Sequence, residues 1–440
     1  MISNADVIVI SITVAVIFIY FLYVIYKKFN SIELSYFYCF NLLTVISLSI
    51  LPGAAYVQKY VIILLFVMNS LLFISQYNPK PDLNKLSASS KLSFDNKLIL
   101  VFLLFFFASV IINIKDVLNI YGFSKVSVLL LAPIFYCLYL PEVLFRNKLF
   151  IKIIMKYFIV LGVFTGIIGL VFYALGINSN PNFSFASLAY FRHPNTVAFI
   201  YSFSSAVSLY YFLFERNNIS QISKVVLPFA IIVIYAGMLF TFSRAGYLSL
   251  AVSTFLLIYY YNKKVLLYII IFVAVISSFL IKSFVLAKGA GSSVSRLGLL
   301  YSAVEMLKSS RIGFLFGFGS SSVFNVFQEF KFQLGPLLED ISYPHNFILF
   351  YIMQFGVISF VLLLFYLLRL ILFYYKKLNS DFENYKFYLL PFVIVISLFF
   401  QSLLEDTILF PEFFVFNMFL TFLGFLVYGR NQILKGGIVN

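Results

Sequence analysis

Four short stretches hold most of the groups able to do chemistry in this chain, and each lies beside an apolar run. In Phe191-Arg192-His193-Pro194-Asn195 the guanidinium offers a contact to an anion and the amide a contact to a sugar hydroxyl. The plainer reading is a helix entry, with Pro194 in the first turn and Arg192 and His193 in the headgroup zone. In Ser243-Arg244-Ala245-Gly246-Tyr247 an arginine interrupts two consecutive apolar runs. Arginine at such depth is costly unless it is paired or faces water, and its planar fork suits phosphate. The plainer reading is a side chain snorkelling from a helix end. The third stretch carries Arg296, Glu305 and Arg311, then Gly313, Gly317 and Gly319. Its glycines make no phosphate-binding P-loop, because the lysine and strand context are absent; each arginine alone reads equally well as a solvated loop charge. The fourth is Glu339-Asp340-Ile341-Ser342-Tyr343-Pro344-His345-Asn346, followed at once by an apolar run. A histidine is poised near neutral pH to take a proton from a hydroxyl, although Asn or Asp here also reads as a helix N-cap.

Together these stretches offer arginines to a phosphate-rich ligand, His345 as a base, and Asn195 and Asn346 as amides for sugars. Tyr190, Tyr247 and Tyr343 are placed to stack on sugar faces. Glu405-Asp406 is a further acidic pair at a span end and reads as structural. No HExxH and no Asp-x-Asp pair beside a span end supplies a metal ligand set, so no cofactor is expected.

The elements that must position these groups follow from composition. The chain of 440 residues is 62% hydrophobic and 11% charged, with 58 Phe and 32 Tyr, more apolar surface than a water-facing domain can cover. Apolar runs of about twenty residues recur, the length that crosses the hydrocarbon as helix, and the alternation of a membrane barrel is missing. The expected fold is all-α, a polytopic integral membrane protein with about 12–14 transmembrane helices in one domain, 1–440. Candidate spans are 7–26, 33–52, 60–75, 98–114, 126–145, 153–176, 195–214, 225–242, 246–262, 265–286, 346–375, 387–404 and 410–428. The first is expected to be retained, since Met1 to Asp6 holds no base and the run is too long for a signal core.

Lysine and arginine clusters, such as Lys27-Lys28, Lys263-Lys264 and Lys376-Lys377, fall on alternate loops, which marks that side as cytoplasmic. The net charge of +15 is accounted for by these span ends and anionic lipid, and nucleic acid is not expected as a partner. Cys39 and Cys137 lie inside candidate spans and imply no disulfide framework. Two loops are long. Residues 76–97 read as a flexible cytoplasmic connection, and residues 287–345 form an outer loop whose length points to function. Within it, Arg296 to Lys308 is expected to be helical, with Leu300, Ala303, Val304 and Leu307 on one face.

Three segments in this order resemble the O-antigen ligase and polymerase superfamily of bacterial envelope glycosyltransferases: TFSRAGYLSL (241–250), SRLGLLYSAVEMLKSSRIGFLFGFGSS (295–321) and HNFILFYIMQFGVISF (345–360). The long loop ending at the histidine belongs to the same pattern. The resemblance covers roughly the C-terminal half. It implies transfer of glycan from an undecaprenyl diphosphate carrier on the periplasmic face of the inner membrane, with neither metal nor nucleotide sugar. Carried over by position, Arg244 and Arg296 would hold the carrier's diphosphate and His345 would activate the acceptor hydroxyl; Arg192, His193, Asn195, Tyr247, Arg311, Tyr343 and Asn346 are the expected substrate contacts. Expected partners are a lipid-linked donor and acceptor, membrane lipids and a chain-length regulator. Two reactions stay open: a polymerase joins lipid-linked repeat units, and a ligase passes the finished chain to lipid A-core. The large loop, with Asn325, Gln328 and Gln333, favours the polymerase. A lipid-linked oligosaccharide transporter is the competing class, disfavoured because the charges gather at span ends rather than mid-span.

Overall fold

An apolar run inside a membrane must satisfy its own backbone, which leaves the helix as the solution for each predicted span. The computed structural model describes residues 94–114, 136, 140–141, 148–175, 194–241, 243–267, 291–320, 322–331, 343–405 and 414–434. Its helices are α1 (Phe94–Ile112), α2 (Lys148–Ala174), α3 (Pro194–Phe214), α4 (Gln221–Leu239), α5 (Arg244–Tyr261), α6 (Gly291–Ser309), α7 (Arg311–Phe316), α8 (Ser322–Lys331), α9 (Phe347–Ser380), α10 (Phe382–Tyr385), α11 (Leu389–Ser402) and α12 (Phe414–Leu434), and no strand occurs among the described residues. The fold is all-α. Among the described residues, the four segments Ile151–Phe172, Val197–Phe214, Phe347–Ser380 and Phe382–Ser402 are long and apolar enough to cross a membrane. The predicted spans at 7–26, 33–52 and 60–75, and most of 126–145 and 265–286, lie outside the described residues. So do both cysteines and most of the 76–97 loop, which gives way to helix at Phe94.

Helix α11 is the axis of the described part. Every residue from Leu389 to Leu398 is buried, and α3, α5 and α12 pack around it. Small residues let the backbones close: a Cβ on Gly246 would stand 2.8 Å from both Ala198 Cβ and Met238 Sδ. That contact sets the start of α5 level with the start of α3 and the end of α4. Interhelical hydrogen bonds add to the packing, from Ser204 Oγ to the Phe158 carbonyl (2.6 Å) and from Tyr374 Oη to the Leu426 carbonyl (2.6 Å). At the opposite end of the bundle Lys386 Nζ meets Glu215 Oε1 at 3.3 Å and the Phe214 carbonyl at 2.7 Å. Tyr259 Oη donates to Asn379 Oδ1 there at 3.4 Å.

The described part of the long loop is three helices rather than a coil. Helix α6 is longer than the predicted 296–308, and its buried stripe is Leu299, Ser302, Ala303, Met306 and Leu307. Val304, expected on that stripe, is exposed, as are Leu297 and Tyr301. Apolar residues stand on every side of this helix, so sequence periodicity mis-set its rotation by about one residue. Helix α7 is then fastened into α9 at a break in that long helix. Gly356 has φ 84° and ψ 162°, and Gly317, at the end of α7, has φ 86°. A Cβ on Gly317 would sit 2.2 Å from the Gln354 carbonyl oxygen, and a Cβ on Gly356 would sit 2.1 Å from that of Leu315. Only glycine combines that left-handed backbone with so close an approach. Phe318 N donates to the Met353 carbonyl at 2.7 Å, and Asn113 Nδ2, just past the end of α1, donates to the Gly317 carbonyl at 3.2 Å. From Asn346 to Gly356 helix α9 rises about 15 Å, so the loop is anchored well along the helix from its start.

Candidate active site

The site assembles where α11 ends and three other helices begin. Beyond Ser402 the backbone of α11 tightens, with the Leu403 amide donating to the Phe400 carbonyl at 3.2 Å and the Leu404 amide to the Gln401 carbonyl at 3.1 Å. The Glu405 amide donates to that same Gln401 carbonyl at 3.1 Å, which holds Glu405 against the helix end. The last carbonyls of a helix are the negative end of its dipole and need donors. Asn346 Nδ2 donates to the Leu403 carbonyl at 2.9 Å, and Arg296 Nη1 to the Leu404 carbonyl at 3.4 Å.

Glu405 itself is the centre of the cluster. Its Oε1 accepts from Arg296 Nη2 at 3.1 Å and from Asn195 Nδ2, and its Oε2 lies 3.2 Å from His345 Nδ1. The carboxylate side chain is 5% exposed, while Arg296 keeps 32% and His345 22% of its side-chain surface open. A buried carboxylate is tolerated because both oxygens are met by donors. Arg296 and His345 stay partly open, which leaves both able to face a ligand.

His345 is held in an unusual backbone state. Its φ of 50° makes it a non-glycine residue with positive φ, between Pro344 and the helix cap Asn346. Histidine reaches that region more often than most residues, but a strained backbone persists only where its surroundings hold it. Here Asn346 Oδ1 accepts from Leu349 N at 3.0 Å and caps α9. The Tyr343 ring packs on the imidazole with centroids 4.4 Å apart at 54°, and on Phe350 at 5.9 Å.

Arg244 opens α5, capped by Ser243, whose side chain accepts from Gly246 N at 3.2 Å. Arg244 is half-buried, and the Gly246 contact with Ala198 brings its turn to the end of the bundle where Asn195 meets Glu405. The helices α3, α5 and α9 thus all start at this end, and their positive N-terminal dipoles favour an anion alongside the two arginines.

The predicted site residues therefore divide. Asn195, Arg296 and His345 converge on Glu405, and Arg244 sits at the same end. Asn346 spends both ends of its amide inside the protein, on Leu349 and Leu403. The Tyr247 hydroxyl donates to the Leu239 carbonyl across the α4–α5 turn, and its half-buried ring packs against the core. Arg311 opens α7 and is exposed, and Glu305 pairs with Lys308 at 2.8 Å. Arg192 and His193 lie outside the described residues. Glu405 is the residue that sequence reasoning set aside; its signal was an acid at the end of an apolar span, on the side where the arginines collect. Among the described residues no group of three His, Cys, Asp or Glu side chains has the spacing to hold a metal.

No curated protein and no solved structure matches this chain. Residues 228–364, however, match the family model described as O-antigen ligase, a stretch that contains Arg244, Arg296, Arg311 and His345. That match supports the O-antigen ligase and polymerase superfamily for this stretch of the chain, and members of the matched family are glycosyltransferase-like enzymes.

Proposed function

We propose that this protein is a polysaccharide polymerase of the bacterial inner membrane, transferring glycan from an undecaprenyl diphosphate carrier to a sugar hydroxyl of a second lipid-linked repeat unit. The observation that carries the reading is the meeting of Arg296 and His345 on Glu405, at the end of the bundle where Arg244 opens α5. A diphosphate is already a good leaving group, so the site needs cations for its developing charge more than a general acid. Arg244 and Arg296 supply them, without a metal. The acceptor hydroxyl has a pKa far above neutrality and needs a base within hydrogen-bond reach, which is His345. As its oxygen bonds to the anomeric carbon, the bond from that carbon to the diphosphate breaks and the electron pair leaves on the phosphate oxygen. The proton goes to His345. Arg192, His193, Asn195, Tyr247, Arg311 and Tyr343 are proposed as further substrate contacts.

The site is assigned to the periplasmic side. Lys263-Lys264 follow α5 and Lys376-Lys377 fall in the last turns of α9, both at the end away from Glu405, and such lysines favour the cytoplasm. The second reading is an O-antigen ligase acting on lipid A-core; the matching family, described as O-antigen ligase, is compatible with either reaction.

The test is the full chain in nanodiscs with a polyprenyl diphosphate-linked repeat unit as sole substrate. A ladder of products without lipid A-core supports the polymerase. Transfer that appears only when lipid A-core is added makes it a ligase, and no product with either acceptor overturns both readings.

A further inference from the structure

Removing a carboxylate from water costs several kcal/mol unless it is paired and hydrogen-bonded, and Glu405 is 4% exposed. Its two oxygens are divided by partner: Oε1 takes Arg296 and Asn195, and Oε2 takes His345. An ionised carboxylate only accepts, so the proton between Oε2 and the imidazole belongs to His345 Nδ1. The neutral ring then has its lone pair on Nε2, the nitrogen turned away from Glu405. One side chain therefore sets which nitrogen of the candidate base is basic, and at 3.1 Å it also fixes one edge of the Arg296 guanidinium.

We propose that Glu405 is a positioning residue for the transfer reaction, holding His345 in the tautomer whose Nε2 takes the acceptor proton and holding Arg296 beside it. This rests on the reading of the site as a glycosyltransferase. In the step, the acceptor O–H bond breaks and its proton goes to Nε2. The acceptor oxygen bonds to the anomeric carbon and the diphosphate departs with the electron pair. The imidazolium so formed keeps its Nδ1–H on Glu405 Oε2, where the fixed negative charge stabilises it. Glu405 has its oxygens on Arg296, Asn195 and His345, so in this proposal it acts through those side chains and not on sugar or phosphate itself. Its loss should therefore show in turnover and not in donor affinity. A carboxylate that merely clamped α3, α6 and α9 to the end of α11 would lower both together, along with stability.

The experiment compares Glu405→Gln and Glu405→Asp with the unaltered full chain in nanodiscs. Turnover is measured with lipid-linked oligosaccharide extracted from cells that make it, and binding with undecaprenyl diphosphate alone. Glu405→Gln is expected to lose about 100-fold in kcat, the scale of a disabled general base, while KM and undecaprenyl diphosphate affinity stay within about threefold. Glu405→Asp, which keeps the charge at a longer reach, is expected to recover part of the kcat. Unchanged kcat in Glu405→Gln overturns the proposal, as does an equal fall in kcat and in undecaprenyl diphosphate affinity. Should Glu405→Gln fail to accumulate in the membrane, Glu405→Asp decides on the same two readouts, a kcat loss of about tenfold at unchanged KM being the supporting result. His345→Ala is measured alongside. If it turns over normally, the glycosyltransferase assignment of His345 has failed; if it is dead while Glu405→Gln is fully active, only the positioning role has.

Discussion

His345 Nδ1 and Glu405 Oε2 stand 3.2 Å apart although 60 residues of chain separate them. The contact joins the start of α9 to the end of α11. Arg296 reaches the same carboxylate from α6, 109 residues away in sequence, and Asn195 reaches it from α3, so four elements share one buried charge. The chemistry proposed for this end of the bundle depends on that sharing, and so does its response to substitution.

His345→Gly and His345→Ala both remove the base, but only glycine relieves the positive φ. The glycine variant is expected to be more stable than the alanine variant by about 1 kcal/mol, the cost of a left-handed non-glycine residue, and both are expected to be inactive. Thermal melts in detergent with a turnover assay check both halves; an alanine variant as stable as glycine would mean the backbone there is not strained.

Arg296 uses two guanidinium nitrogens at once, on Glu405 and on the Leu404 carbonyl. A lysine ammonium cannot span both while facing a phosphate, so Arg296→Lys is expected to lose at least tenfold in kcat/KM, roughly 1.4 kcal/mol of transition-state stabilisation. Arg244→Lys should be similarly poor if a planar fork holds the diphosphate. Full activity in either variant would reduce that arginine to a point charge.

Gly356→Ala lies about 15 Å along α9 from the site and touches no proposed catalytic group. Its Cβ would collide with the Leu315 backbone at positive φ, and neither side can yield cheaply. A loss on the order of 3 kcal/mol is expected, with α7 released from α9 and residues near 311–331 opened to protease. Normal stability and protease resistance would show that the anchoring of the loop does not rest on this close approach.

Asn346 caps α9 through its oxygen and ties it to α11 through its nitrogen. Asn346→Ser keeps a cap and loses the tie, while Asn346→Ala loses both and is expected to cost about 1 kcal/mol more, measured as a shift in the denaturation midpoint. Equal stability of the two variants would remove the cap from the account.

Much of this was legible in the sequence because lipid allows little variety of backbone. Each predicted span from 98 onward that lies within the described residues coincides with a helix, and Pro194 opens α3 as the motif at Arg192 to Asn195 suggested. Arg244, Arg296 and His345 could be named because charged groups are rare in so apolar a chain. Glu405 could not be ranked with them, since an acid at a span end has an ordinary structural explanation and its partners are far away in sequence. The rotation of α6 was hidden for a different reason: with Leu297, Leu299, Leu300 and Tyr301 in succession, no face is distinctly polar. Gly356 is one small residue in an apolar run, and what demands a glycine there is the backbone of α7, which nothing in the local sequence announces.

The most direct test of the central claim sets unaltered protein and His345→Ala side by side in nanodiscs, with lipid-linked repeat unit as substrate and products resolved on a gel. The account predicts a ladder from the unaltered chain and none from His345→Ala at equal protein level, with undecaprenyl diphosphate still bound by both. A ladder of normal length from His345→Ala would contradict it.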